Sequence, residues 1–90
     1  SMKILYTKKF NKDLDQIGND VKLKKNILQI INKIKGMDSL VDLEGVRKIQ
    51  GYDGYYRIRI GDFRLGVKIT NDGLEILRFL HRKDIYRRFP

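Results

Sequence analysis

The sequence predicts an α+β domain in which one layer of two helices covers one face of an antiparallel sheet. Apolar residues recur at helical spacing up to Gly36 and at a period of two from Val46 onward. Strands are therefore segregated from helices rather than alternating with them, as is typical of this class. The length of 90 residues and the hydrophobic content of 41% suit a packed core. We expect a single domain over residues 1–90, with Ser1 as an addition from cloning.

A short strand and a helical hairpin are expected first. Residues 3–6 suit a strand, and Thr7 or Asn11 can cap the helix that follows. That helix carries apolar residues at i, i+4 and i+7 before Gly18 ends it, namely Phe10, Leu14 and Ile17. The Asn19-Asp20 pair can cap a second helix that ends at Gly36. Its apolar face consists of Leu23, Ile27, Ile30, Ile31 and Ile34.

A β-meander is expected in the second half of the chain. Residues 37–45 show no clear period and form a connection. The candidate strands are residues 46–50, 55–60, 63–69 and 74–80. Gly61-Asp62 lies between two alternating runs, which is a strong signal for a two-residue hairpin turn.

This hairpin determines which side chains share a face. With Gly61-Asp62 as the turn, Arg59 pairs with Arg64 and Arg57 pairs with Gly66. The core face then contains Tyr56, Ile58, Ile60, Phe63, Leu65, Val67 and Ile69. The opposite face, here called the arginine face, contains Tyr55, Arg57, Arg59, Arg64, Gly66 and Lys68. Like charges directly opposite each other destabilise a sheet by up to about 1 kcal/mol, and a bound anion would remove that conflict.

The contribution of the last strand depends on the loop at residues 71–73. A three-residue loop places Arg78 beside Gly66 and Arg82 near the turn, whereas a loop one residue different brings His81 onto the arginine face. Both arrangements remain open from the sequence. In either one, residues 81–83 leave the sheet at the end where the paired arginines lie.

The positive charge is unevenly distributed. The net charge is +9, and every arginine lies in residues 46–90, whereas residues 1–45 contain only lysines as basic residues. The planar fork of arginine suits bidentate contacts to phosphate, while lysines on a helix are mostly solvated. We therefore expect a polyanionic partner, either a nucleic acid or an acidic protein.

Composition also excludes several classes of protein. The absence of cysteine excludes disulfides, thiolate catalysis and thiolate zinc sites, and the single histidine argues against a transition-metal site. We expect no metal and no cofactor. No apolar run approaches the roughly 20 residues of a membrane span, and the first residues lack the apolar stretch of a signal peptide, so we expect a cytoplasmic protein.

A simpler interpretation of the arginine face stays open. An antiparallel sheet covered by helices on one side has a solvated second face, where arginines can be ordinary soluble strand residues. His81 can equally make a structural hydrogen bond instead of transferring protons. The lysines of the second helix are most simply a solvated surface.

Two segments resemble the RelE/ParE toxin superfamily of bacterial and archaeal toxin–antitoxin systems. The first is GYDGYYRIRIGDFRL at residues 51–65, and the second is FLHRKDIY at residues 79–86. The resemblance covers essentially the whole chain, and the compact α+β fold of that family agrees with the predicted order of elements. It implies a cognate antitoxin as a partner.

The RelE branch implies a ribosome-dependent endoribonuclease that cuts mRNA without a metal, through attack of the ribose 2′-hydroxyl on the adjacent phosphate. Ribosome and mRNA are then partners as well. This chemistry needs cations around the phosphate, a base for the 2′-hydroxyl and an acid for the departing 5′-oxygen. Positions that match the site of the family are Arg57, Arg59, Arg64, Arg82 and Tyr86.

The chain departs from the RelE pattern where Arg57 and Arg59 replace two lysines, one of them a proposed base. Arginine is a poor proton acceptor, whereas imidazole has a reference pKa of about 6.5. We therefore expect His81 to act as acid or base and Tyr86 to position or stack the substrate. The expected phosphate clamps are Arg59, Arg64 and Arg82. Further phosphate contacts are expected from Arg57, Lys68, Arg78, Lys83 and Lys48.

Two alternatives follow from the same resemblance. The ParE branch shares the fold but inhibits DNA gyrase by protein–protein contact, and the missing lysines keep that activity open. A catalytically degenerate RNA-binding relative is the other alternative.

Overall fold

A five-stranded mixed sheet forms the centre of the computed structural model, which describes residues 2–90; Ser1, the expected cloning addition, lies outside them. The elements in chain order are β1 (Ile4–Tyr6), α1 (Lys8–Gln16), α2 (Val21–Lys35), a 3₁₀ turn (Leu40–Asp42), β2 (Val46–Lys48), β3 (Tyr55–Ile60), β4 (Phe63–Thr70), β5 (Gly73–His81) and α3 (Arg82–Arg88). The strand order is β1-β5-β4-β3-β2, with β1 parallel to β5 and the other neighbours antiparallel. The predicted α+β class is confirmed.

The helical hairpin begins and ends at capping residues that the sequence indicates. The Thr7 hydroxyl accepts a hydrogen bond from the Phe10 N–H at 3.1 Å, so Thr7 rather than Asn11 caps α1. Gly18 follows α1 with a φ of 61°, in the left-handed region that favours glycine. The Asp20 carboxylate accepts from the Leu23 N–H at 3.0 Å and caps α2.

The main core lies between the sheet and the pair α1 and α2. Its buried side chains are Phe10, Ile27, Ile31, Ile34, Leu40, Leu43, Ile58, Ile60, Leu65, Val67, Leu74, Ile76 and Phe79. Most of the predicted apolar positions of α2 and of the β3–β4 hairpin are in this core or packed against it, whereas Ile69, expected on the core face, is 36% exposed. Within residues 2–90, none of the helices has both the length and the apolar character needed to cross a membrane.

The β3–β4 hairpin has the predicted register. Gly61 has a φ of 59° at the first turn position, where a two-residue turn of type II′ requires glycine. Arg59 lies directly opposite Arg64, and Arg57 lies opposite Gly66. The arginine face therefore forms as expected.

The β4–β5 hairpin combines parts of the two expected arrangements, because its loop is one residue shorter than three but Arg78 still lies opposite Gly66. Thr70 pairs with Gly73, so its turn has two residues, and a β-bulge at Leu77 then shifts the register. This extra residue returns Arg78 to a position opposite Gly66. The Thr7 hydroxyl donates to the Leu77 carbonyl at 2.9 Å, so the bulge is held by a contact from the start of α1.

Helix α3 is absent from the expected architecture, and it packs on the arginine face. Its buried residue Ile85 forms a second small cluster with Leu80 and Phe89, and the Phe89 ring lies over Gly66. The expectation of helices on one face only is therefore incomplete. Two apolar residues in a run of charged ones form too short a pattern to indicate a helix.

Candidate functional site

A cleft of about 490 Å³ opens on the arginine face beside α3. It is lined by Gly45, Val46, Arg47, Arg57, Arg59, Arg64 and Tyr86, and we call it the arginine cleft. Four of these side chains are guanidinium groups from three neighbouring strands.

Strand pairing brings the four arginines together. Arg47 of β2 lies directly opposite Arg57 of β3, and Arg59 of β3 lies directly opposite Arg64 of β4. Because Arg57 and Arg59 are two residues apart on one strand, the two pairs are separated by about 7 Å along the sheet. The cleft thus contains two neighbouring pairs of like charges.

No carboxylate compensates this charge within residues 2–90. In residues 2–90, ion pairs join Arg78 to Asp13 and Arg87 to Asp84. None of the four arginines of the cleft takes part in them. Like charges opposite each other weaken a sheet, and a bound anion turns that repulsion into attraction. The arginine cleft is therefore suited to phosphate groups.

The Arg64 side chain is held in place by the hairpin turn itself. Its Nη1 atom donates to the carbonyl oxygen of Gly61 at 3.0 Å and to that of Phe63 at 2.9 Å. Within the described chain, its Nε and Nη2 make no hydrogen bond. Arg64 is thus oriented before any ligand binds, with donors left over for an anion.

Tyr86 reaches the cleft from α3. Its ring lies on the guanidinium of Arg57, whose Cζ is 4.6 Å from the ring centroid, and the residue is 68% exposed. Its hydroxyl can both donate and accept a hydrogen bond, unlike the arginines around it. Tyr86 is therefore the one lining side chain that suits proton transfer.

His81 lies away from the arginine cleft. It pairs with Phe63, and its ring contacts the Phe63 ring edge-on at 5.4 Å, on the core side of the sheet. Its Nδ1 accepts a hydrogen bond from the Lys83 N–H at 3.2 Å and caps α3. His81 therefore makes the structural hydrogen bond that was one of its two expected roles. The register after the bulge turns its side chain away from Arg59 and Arg64.

Arg78 is engaged in a structural ion pair. Its Nε and Nη2 donate to the two carboxylate oxygens of Asp13 at 2.8 and 3.0 Å, and its side chain is only 13% exposed. Asp13 also accepts the Phe79 N–H at 2.9 Å. The hydrogen bond to Asp13 raises the pKa of Arg78 above its ordinary value. Arg78 therefore connects α1 to β5 and is left out of the candidate phosphate site.

The other predicted basic residues lie outside the lining of the arginine cleft. Lys48 pairs with Tyr56 and so lies on the core side of the sheet, away from Arg57 and its neighbours. Lys68 lies at the far end of the arginine face, with its Nζ 5.1 Å from the centroid of the Tyr55 ring. The exposed residues Arg82 and Lys83 begin α3, and the Arg82 N–H donates to the Asp62 carbonyl at 2.8 Å. They are near the turn but do not line the cleft.

Arg47 is the site residue that the sequence analysis missed. Its only signal is the Val46-Arg47 alternation, which continues the apolar and basic pattern of β3. The pairing of β2 with β3 depends on the irregular segment 49–54, whose geometry the sequence does not reveal. Lys48, its neighbour, was predicted instead.

Comparison with known proteins identifies relatives along nearly the whole chain. Residues 4–86 match the family of ParE toxins of type II toxin–antitoxin systems. Toxin RelE3 of Methanocaldococcus jannaschii is 42% identical over 90 residues, which cover 99% of this chain and 100% of that protein.

Solved structures agree with this result. The RelB-RelE antitoxin-toxin complex from Methanococcus jannaschii contains a chain with 38% identity and a TM-score of 0.79, and the match covers 96% of this chain and 99% of that one. The YoeB dimer from Staphylococcus aureus shares the fold, with 20% identity and a TM-score of 0.73 over 90% of this chain and 97% of that one. The chain therefore belongs to the RelE/ParE superfamily of toxins from type II toxin–antitoxin systems.

Proposed function

We propose that this RelE-like toxin is a ribosome-dependent endoribonuclease that cleaves mRNA and so inhibits translation. The observation that carries the proposal is the arginine cleft, which is lined by one tyrosine and by four guanidinium groups that have no carboxylate partner in residues 2–90. A single RNA strand offers the regularly spaced phosphates that such a cleft attracts.

The reaction is attack of the ribose 2′-oxygen on the adjacent phosphorus. The bond from phosphorus to the 5′-oxygen breaks, which leaves a 2′,3′-cyclic phosphate and a 5′-hydroxyl. Negative charge increases on the non-bridging oxygens in the transition state. Arg59 and Arg64, directly opposite each other on two strands, are placed to stabilise that charge.

Protons must leave the 2′-oxygen and reach the 5′-oxygen. The guanidinium groups of the cleft remain protonated throughout the reaction. The Tyr86 hydroxyl, which also lines the cleft, protonates the departing 5′-oxygen. Water takes the 2′-hydroxyl proton, and the positive charge of the cleft favours the resulting oxyanion.

The remaining basic residues bind the flanking strand. Arg47 and Arg57 are about one phosphate further along the cleft and hold the next phosphodiester. Arg82 and Lys83, exposed at the start of α3, and Lys68 at the far end of the arginine face attract the strand as it enters and leaves.

Primer extension on ribosome-bound mRNA tests the proposal. The intact toxin should produce new 5′ ends within translated regions, and Arg64→Ala should reduce cleavage by about 100-fold, as expected when a transition-state donor is lost. Full cleavage by the Arg64→Ala variant would overturn the assignment.

DNA gyrase inhibition is the second candidate, because the matching family model is that of ParE toxins. Pulse labelling after induction separates the two activities. Translation stops first when mRNA is the target, whereas DNA synthesis stops first, with an SOS response, when gyrase is the target. A degenerate RNA-binding relative would cause no growth arrest.

We also propose that a cognate antitoxin neutralises this protein. The solved relative from Methanococcus jannaschii is an antitoxin-toxin complex, and the net charge of +9 attracts acidic helical segments. The product of a neighbouring gene should copurify with the toxin from its native host. A pull-down from that host that retains no specific partner would count against this proposal.

A further inference from the structure

A second cleft of about 290 Å³ adjoins the arginine cleft and shares two residues with it, Arg57 and Tyr86. Its other lining residues are Ile49, Tyr52, Ile85, Arg87, Phe89 and Pro90, and we call it the aromatic cleft. The stacked pair of Arg57 and Tyr86, 4.6 Å apart, forms the wall between the two clefts.

The position of Tyr52 in the aromatic cleft is supported by neighbouring rings. Tyr52 meets Tyr55 edge-on at 6.0 Å, and Tyr55 contacts the ring of Phe89 at 5.9 Å. Phe89 is only 7% exposed, whereas Tyr52 is 52% exposed. A buried ring thus supports an exposed one, and Tyr52 offers an aromatic surface at little cost in conformational entropy.

The chemistry of the aromatic cleft is that of a base-binding site. Its lining combines aromatic rings with the guanidinium groups of Arg57 and Arg87 and contains no carboxylate. Unpaired bases in single-stranded RNA stack on tyrosine rings and on arginine planes. In a nucleotide the base is joined to its phosphate through one ribose, so the two lie close together. The aromatic cleft and the arginine cleft are adjacent in the same way, because they share Arg57 and Tyr86.

We infer that the aromatic cleft binds a nucleobase next to the phosphate held in the arginine cleft, with the exposed ring of Tyr52 as its stacking surface. The inference rests on the proposed function, because it takes single-stranded RNA as the ligand. It adds Tyr52, which is not among the residues that line the arginine cleft, to the residues that bind RNA.

Binding of two labelled octamers, measured by fluorescence anisotropy, tests this inference. One is oligouridine, and the other is an abasic ribose phosphate chain with the same number of phosphates. The intact protein should bind oligouridine more tightly than the abasic chain, and Tyr52→Ala should reduce that preference by about tenfold, the effect expected when one stacked base is lost. An unchanged preference in Tyr52→Ala would overturn the inference.

Three control variants complete the experiment. Tyr52→Phe keeps the ring and should retain the preference, which separates loss of the ring from loss of the hydroxyl, and unchanged binding of the abasic chain by Tyr52→Ala excludes a general folding defect. Tyr6→Ala removes another exposed tyrosine, 47% accessible and on β1 at the opposite edge of the sheet from β2, and should also retain it. Arg64→Ala should weaken binding of both octamers equally. Loss of the preference in Tyr6→Ala as well would contradict the assignment to Tyr52.

The outcome is separable from that of the proposed function. If the toxin cleaves ribosome-bound mRNA and Tyr52→Ala leaves the preference for oligouridine unchanged, only the base-binding role of the aromatic cleft is refuted. A base preference that depends on Tyr52, in a protein that never cleaves mRNA, refutes the endoribonuclease activity alone.

Discussion

The ring of Phe89 lies directly over Gly66 in β4, so closely that a Cβ atom at position 66 would come within 2.8 Å of two ring carbons. Gly66 is opposite Arg57, and Phe89 follows the helix that carries Tyr86. The absence of a side chain at Gly66 therefore decides how closely α3 approaches the sheet and where Tyr86 stands over Arg57.

We expect Gly66→Ala to displace Phe89 and α3. Overpacking of this kind should lower the free energy of unfolding by about 1–3 kcal/mol, and the shift of Tyr86 should reduce mRNA cleavage. Gly36→Ala is the matched control, since its new methyl group would meet only the Lys33 carbonyl at 3.7 Å and its φ of −86° suits alanine. Urea unfolding of both variants measures the difference, and equal stabilities would contradict the packing argument.

Asp13→Ala should destabilise the fold strongly. The change leaves the guanidinium of Arg78 and the N–H of Phe79 without their acceptor, in a site where the Arg78 side chain is 13% exposed. The free energy of unfolding should fall by about 3 kcal/mol. Because the pKa of Arg78 is raised in the folded protein, the contribution of Arg78 to the free energy of unfolding is fully present below the ordinary arginine pKa. The ionisation of Arg78 therefore adds no pH dependence to stability near neutrality.

The exposed pair of Asp84 and Arg87 provides the comparison for this variant. Its side chains are 36% and 76% exposed, so Asp84→Ala should cost less than about 1 kcal/mol. Thermal unfolding measures both changes. Similar losses in the two variants would show that burial does not distinguish the two ion pairs.

Arg64 and His81, which were both expected from the sequence to be catalytic, should behave differently. Arg64→Lys should lose most mRNA cleavage, because lysine cannot bond the turn carbonyls and also present a planar fork to phosphate. His81→Asn should keep cleavage, because asparagine caps α3 equally well and the imidazole lies on the core side. Primer extension compares them, and a His81→Asn variant as inactive as Arg64→Lys would restore histidine to the mechanism.

Adjacent residues Arg47 and Lys48 test which face of the sheet binds RNA. Arg47 lines the arginine cleft, whereas Lys48 lies on the other side of β2. Arg47→Ala should reduce the slope of log affinity against log salt by about 0.7 for single-stranded RNA, and Lys48→Ala should leave it unchanged. Titration of oligouridine at several salt concentrations gives both slopes. A larger change for Lys48→Ala than for Arg47→Ala would show that RNA binds on the Lys48 side of β2 and would contradict the assignment to the arginine cleft.

Local patterns in the sequence were sufficient for every helix and strand except α3, and they placed Arg57, Arg59 and Arg64 on one face of the sheet. Gly61-Asp62 is a turn whose geometry depends on two residues, so the pairing of Arg59 with Arg64 follows from counting along the chain. The caps of α1 and α2 depend on side chains within three residues of the bond they make. The family resemblance also lies in contiguous segments.

The remaining features depend on contacts between distant parts of the chain. The bulge at Leu77, held from Thr7, turns His81 toward the core, and the segment 49–54 brings Arg47 beside Arg57. Helix α3 docks because Phe89 finds a surface without a side chain at Gly66. The sequence by itself thus determined an α+β toxin with an arginine face, because turns, caps and strand periods are local. Only the tertiary structure decided which cations and which tyrosine meet in one cleft, because register and docking depend on residues tens of positions apart.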